Sequence, residues 1–297
     1  MTPQFLSEYI NGADPLESQN LLTMRLKALK INEALGSRSG IAGDCCRLAE
    51  LYLLSGELDL AEKMLARAME IERTLDPNEH FARHCADLGA LYLSRGAVEK
   101  AEDFFRKSAG INKALGNQAG LVENLQTLVY IAEQYKDLGA VAALLLEALQ
   151  IARKLGNPQT IADTLGRIGV TDLRMGLPRP AKQALEEARE FYLAIKSDCG
   201  IADTLGHLGL AHTLLDDGVL AEAFLLQAIE LNEDLQRRGR LADNCGNLGN
   251  LYWGSGHRQA ALPFYRRALA LFIETGSSAK AHKTRRLLDG LLATSEP

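Results

Sequence analysis

Residues 85–105, CADLGALYLSRGAVEKAEDFF, and residues 245–265, CGNLGNLYWGSGHRQAALPFY, decide how the rest of the chain is read. Cys, Leu-Gly and Tyr recur at Cys85, Leu88, Gly89 and Tyr92 and at Cys245, Leu248, Gly249 and Tyr252, followed by Ala101 and Phe105 or Ala261 and Tyr265. Extending the register by steps of 40 aligns Leu48, Leu88, Leu128, Ile168, Leu208, Leu248 and Leu288 without an insertion. A second column is Ala61, Ala101, Val141, Ala181, Ala221 and Ala261, and a third is Ala68, Ser108, Ala148, Ala188, Ala228 and Ala268. A fourth is Ile71, Ile111, Ile151, Phe191, Leu231 and Leu271. Spacings of three and four mark amphipathic helices, and the small residues imply helices that approach closely. Each repeat therefore reads as a pair of helices of about 14 to 17 residues, roughly 21 to 25 Å long.

The punctuation agrees. Gly56, Gly96, Gly176 and Gly256 end first helices, while Gly36, Gly116, Gly156 and Gly276 follow second helices, where a left-handed residue is wanted. Pro180 falls at the start of a second helix, and Pro77 and Pro158 lie between repeats. A single pair cannot bury its apolar faces, so stacking on neighbours supplies the core. The expected organisation is an N-terminal helical cap or half repeat over 1–36, six repeats over 37–276, and a capping helix with a short tail over 277–297. Phe5, Leu6, Tyr9 and Ile10 fit a short helix outside the register.

Composition limits the function classes. The chain is 47% hydrophobic but only 6% aromatic, so its apolar content lies in Ala and Leu, a helix-forming balance. The net charge of −5 gives no general reason for a polyanionic partner. It divides unevenly, however: 1–236 hold 23 Lys/Arg and 34 Asp/Glu, net −11, whereas 237–286 hold 10 and 2, net +8. No apolar run reaches the roughly 18 residues of a membrane span, and five cysteines without a CxxC pair suit a reducing compartment, so a cytoplasmic protein is expected. No phosphate-binding glycine loop, nucleophile elbow or HExxH is present, and no enzyme activity or cofactor is expected. His80 and His84 share a helix face at a spacing that suits two metal ligands, but surface histidines are the simpler reading and no metal site is assigned. The Tyr slot of Tyr52, Tyr92 and Tyr252 becomes Ala132, Asp172 and His212 in the middle repeats. Either these polar groups sit at a wet edge, or the middle of the array is softened.

The quoted stretches resemble the tetratricopeptide repeat, with Cys in the slot of the family's Trp. The 40-residue period and Asn247-Leu248-Gly249-Asn250 look like its longer-repeat branch, which includes kinesin light chains and Pins-type adaptors. The resemblance spans about 35–293 and implies an all-α fold: a right-handed α-solenoid of stacked antiparallel helix pairs.

In that family the first helices line a concave groove that holds a peptide or a partner helix. Carried over by register, the groove residues are Arg83, Asp87, Glu123, Gln126, Tyr130, Asp163, Arg167, Asp203, His207, Asp243, Asn247, Asn250 and Trp253. Gly166, Gly206 and Gly246 occupy its floor, open either to a ligand or to a neighbouring helix. Only Asn247 and Asn250 match the asparagines of the longer-repeat adaptors, and the carboxylate clamp of chaperone-binding relatives is not matched. Glu123, Asp163, Asp203 and Asp243 would form an acidic ladder near Val170, Leu210 and Trp253, which fits a partner with basic and apolar residues. Alternatively, these aspartates cap or solvate helices.

The resulting expectation is a non-catalytic scaffold or adaptor that binds a protein or peptide in the groove. Self-assembly is the main alternative, either dimeric or head-to-tail through oppositely charged ends. A sensor of signal peptides acting through another protein, and weak nucleic-acid binding by the basic C-terminal end, are further readings.

Overall fold

The computed structural model describes residues 15–72 and 79–293, and the chain divides at residue 135 into two compact units. Phe5, Leu6, Tyr9, Ile10 and Pro77 lie outside the described residues. The first unit contains α1 (Pro15–Ala34), α2 (Arg38–Leu54), α3 (Leu58–Glu72), α4 (Glu79–Ser94), α5 (Val98–Leu115) and α6 (Gln118–Gln134). The second contains α7 (Leu138–Leu155), α8 (Pro158–Arg174), α9 (Pro178–Ala194), α10 (Asp198–Leu214), α11 (Gly218–Asp234), α12 (Arg238–Gly254), α13 (Arg258–Glu274) and α14 (Ser278–Ala293). No strand occurs among the described residues. Within each unit every helix packs on the next, and short links make the neighbours antiparallel. In the second unit α8 also touches α10, and α10 touches α12, so the first helices form a layer of their own.

The helix ends explain the regularity. Gly36, Gly56, Gly96, Gly116, Gly156, Gly176, Gly256 and Gly276 all have φ between +65° and +80°. Lys136, Lys196, Asp216 and Gln236 adopt the same left-handed conformation at the same 20-residue register, although an L side chain makes it costly. Side-chain caps recur one residue later, where Asn117, Asn157, Ser197 and Asp217 each accept from the backbone N–H three residues on. Helix length is thus set locally by a left-handed stop and, at these four helices, by a polar start.

The Leu-Gly pair has a packing cause. A Cβ on Gly89 would lie 2.9 Å from the Phe105 ring, and one on Gly249 would lie 2.9 Å from the Tyr265 ring. On Gly169 and Gly209 it would meet Leu185 and Leu225 at 2.5 Å. Each glycine lets the large residue of the second helix rest on first-helix backbone. The preceding Leu88, Leu208 and Leu248 are buried, as is Leu48 in the same column, and so are Cys45, Cys85 and Cys245 in the slot of the family's Trp. Burial pushes the Cys245 thiol up to about 11, so it behaves as a small apolar group.

Two expectations change. His84 is buried rather than on the surface, with its ring 6.5 Å from His80. His212 does not sit at a wet edge: it is 2% exposed and lies over Phe224 at 5.3 Å, as Tyr92 lies over Phe104 at 5.4 Å and Tyr252 over Phe264 at 5.6 Å. The two Tyr hydroxyls donate to Glu62 and Glu222, thirty residues upstream. Lys182 stands at the corresponding position for His212, whose Nδ1 lies 3.2 Å from Asp217 instead. The substitution of Tyr by His thus accompanies the loss of its acceptor. Asp172 is half-buried, which raises its carboxyl pKa.

Candidate functional site

The groove residues fall in both units. On α4 and α6 of the first unit, Arg83, Glu123, Gln126 and Tyr130 are exposed. Asp87 is half-buried, and desolvation pushes its carboxyl up to about 6, with Glu50 adding to the shift and His84 and Arg83 opposing it.

The second unit brings the others onto one face of α8, α10 and α12. Asp163 is exposed, Arg167, Asp203, His207, Asp243, Asn247 and Trp253 are half-buried, and Asn250 is exposed. Most of these polar groups already have partners in the chain. The Asp163 carboxylate accepts from the Tyr192 hydroxyl at 2.6 Å and from the Gln159 amide at 2.8 Å. Asp203 lies between Arg237 at 2.9 Å and Arg240 at 3.2 Å. Asp243 accepts from Lys280 at 2.6 Å. Asn250 accepts from the Tyr265 hydroxyl at 2.7 Å, and Trp253 meets the Tyr265 ring edge-on.

This arrangement changes the electrostatics expected of the ladder. Asp203 and Asp243 hold cations of the next helices, whereas Asp163 is held by neutral groups, so negative charge available to a partner is concentrated at Asp163. Burial lowers the His207 pKa, and Arg240 lowers it further, so neighbouring aspartates do not make it a fixed cation. The sequence reading placed Arg237, Arg240 and Lys280 in the basic C-terminal end and paired neither them nor Tyr192 with the ladder. A signal was present: Glu33–Arg67, Arg153–Glu187, Asp203–Arg237 and Glu233–Arg267 are all opposite charges 34 residues apart, one repeat less six.

The floor glycines also separate. A Cβ on Gly206 would strike the Asn244 side chain at 2.4 Å, so this glycine serves packing between α10 and α12. On Gly246 it would meet nothing within 4 Å, and on Gly166 only the Tyr192 hydroxyl at 3.8 Å. The face is therefore bare at α8, closed at α10 and bare at α12. Beside it, Arg237, Arg238, Arg240, Asp243, Phe272 and Lys280 line an open cleft of about 420 Å³. Arg238 pairs with Glu274 there, so the basic stretch is partly neutralised within the unit. No cluster of three or more His, Cys, Asp or Glu able to hold a metal occurs among the described residues, and none of their helices is long and apolar enough to cross a membrane.

Comparison with known proteins agrees with this architecture. Tetratricopeptide repeat family models match residues 45–75 and 245–271. BtubC (BKLC) from P. vanneervenii is similar with a TM-score of 0.55 and 17% identity, over 74% of this chain and 92% of that chain. Kinesin light chain TPR-like repeats of Podosopora anserina give a TM-score of 0.54 at 16% identity, over 66% of this chain and 96% of that one. A signal transduction ATPase with a tetratricopeptide repeat sensor from Pyrococcus horikoshii gives 0.59 at 16% identity, over 99% of this chain and 51% of that one. Identities this low establish likeness of fold. No curated protein matches the sequence.

Proposed function

Because the chain is a tetratricopeptide-repeat protein, we propose that it is a non-catalytic scaffold whose first-helix face in the second unit holds a segment of a partner protein. The observation that carries this reading is Gly246, a helical glycine above open space. Glycine inside a helix costs about 1 kcal/mol relative to alanine, and no contact among the described residues requires it there. Close approach of a ligand accounts for it.

Asp163 supplies one anchor for a basic side chain, with Arg167 and Val170 beside it on α8. Leu210 and Trp253 supply half-buried apolar surface, and Asn247 is placed to bond a peptide backbone. The fitting partner is an extended segment of mixed character with few basic residues, because Asp203 and Asp243 are already neutralised.

A photocrosslinking residue at Asn247 tests this, with the same residue at exposed Leu226 of α11 as the control. Adducts specific to Asn247 are expected, and Gly246→Arg, whose Cβ would meet nothing within 4 Å, should abolish them while leaving thermal unfolding unchanged or improved. Equal labelling from both positions, or adducts that survive Gly246→Arg, would sink the proposal.

A further inference from the structure

The first unit carries a surface of its own, on α1. By steps of 40 residues, Leu21, Met24, Ala28 and Ile31 of α1 correspond to Ala61, Met64, Ala68 and Ile71 of α3, so α1 occupies second-helix register. In the second helices of the repeats this stripe is buried or half-buried. Ala61, Ala101, Val141, Ala181, Ala221 and Ala261 are all 0% exposed, whereas Leu21 is 42% exposed. Met64 and Ile71 are half-buried, whereas Met24 and Ile31 are 67% and 60% exposed.

The helix itself is firmly placed. Its opposite face sets Leu22 and Leu29 against Cys45, Cys46, Leu48 and Ala68. Asn32 donates to Asp44 at 2.6 Å, and Glu33 pairs with Arg67 at 2.6 Å. The spacing of 21, 24, 28 and 31 is the three-four alternation with which one helix receives another, over about 15 Å.

Charge selects the occupant. Arg25 and Lys27 flank the stripe, Lys30 adds positive charge further round the helix, and 20–32 contain no Asp or Glu. A second copy of α1 would bring like charges together, whereas an acidic helix would pair them. We propose that the exposed stripe of α1 is a docking seam for an acidic amphipathic helix of a partner protein.

Two labelled three-heptad peptides test this on the full chain. Both carry Leu at the a and d positions, one with Glu and the other with Lys at e and g. Fluorescence anisotropy at low salt should give at least about tenfold tighter binding of the Glu peptide, decreasing with added salt. Met24→Glu combined with Ile31→Glu should remove it without altering the melting curve, because both residues are exposed. Reversing Arg25, Lys27 and Lys30 to Glu should transfer the preference to the Lys peptide, a change that lost folding cannot mimic. Equal affinity for both peptides, or none for either, overturns the proposal. So does binding that emerges only with Phe5→Ser and Ile10→Ser, which would make the chain's own N-terminal residues the occupant. Sedimentation of a dimer that Met24→Glu converts to monomer would assign the seam to a second copy and overturn it equally.

Discussion

Arg237, immediately before α12, closes onto Asp203 of α10: its Nη2 lies 2.9 Å from Oδ2 while its Nη1 donates to the Cys199 carbonyl at 3.0 Å. One side chain thus joins two first helices and neutralises a carboxylate that the sequence alone presents as free. Both partners are partly exposed, so the pair contributes at the scale of a good surface ion pair, about 0.5–1 kcal/mol. A double-mutant cycle of Asp203→Ala and Arg237→Ala in urea should yield a coupling of about that size that shrinks in high salt. Zero coupling at low salt would remove the structural role assigned to Arg237.

The left-handed stops make a second prediction. Lys196 has φ +55° and Asp216 φ +61° at sites where equivalent helices use glycine. Replacing either by glycine should raise stability by about 0.5–1 kcal/mol, because relief of backbone strain exceeds the entropy cost of glycine. Gly176→Ala, at φ +74°, should lower it by about 1 kcal/mol. Chemical denaturation of the three variants reads both signs. A destabilised Lys196→Gly would show that the lysine side chain, not the backbone, governs this turn.

The floor glycines offer opposite outcomes for the same substitution. Gly246→Ala should stabilise by about 0.5–1 kcal/mol through helix propensity. Gly206→Ala should destabilise, since its methyl group would displace Asn244 from a position 2.4 Å away. Thermal melts of the pair compare them directly, and matching shifts would refute the packing distinction.

Asp87 gives a pH dependence of defined sign. Its folded pKa of about 6 stands above the ordinary 3.8, so between these values the native state holds the proton more tightly than the unfolded chain. Its contribution to stability is therefore fully present below about pH 4 and lost as pH rises through 6. Asp87→Asn lacks this loss. The variant should be more stable than the parent by about 1–2 kcal/mol at pH 7.5, with the difference fading at pH 4. A difference independent of pH would show that Asp87 does not titrate in this range.

How far the sequence reached is clearest at Leu88-Gly89 and at the Asp203 column. The recurrence of 40 identifies helix pairs because each pair is encoded by local rules: apolar spacing, a left-handed stop and a polar start. Leu88-Gly89 is legible for the same reason, as Phe105 follows it within the same pair and rests on the bare backbone. The partners of Asp163, Asp203 and Asp243 obey no such short-range rule. They come from 29, 34 and 37 residues away, on elements whose rotation about their axes determines which atoms meet.

The sequence by itself determined the all-α architecture, the repeat and the helix stops, since these depend on residues within one or two turns of one another. Tertiary structure alone decided that Gly206 is filled by Asn244 while Gly246 stays open, that His212 is buried, and that Asp203 and Asp243 of the acidic ladder are neutralised. It also decided that the apolar stripe of α1, which repeats a pattern buried elsewhere, faces outward. The physical reason is common to all four: identical periodic positions acquire different environments according to what the neighbouring helix places opposite them.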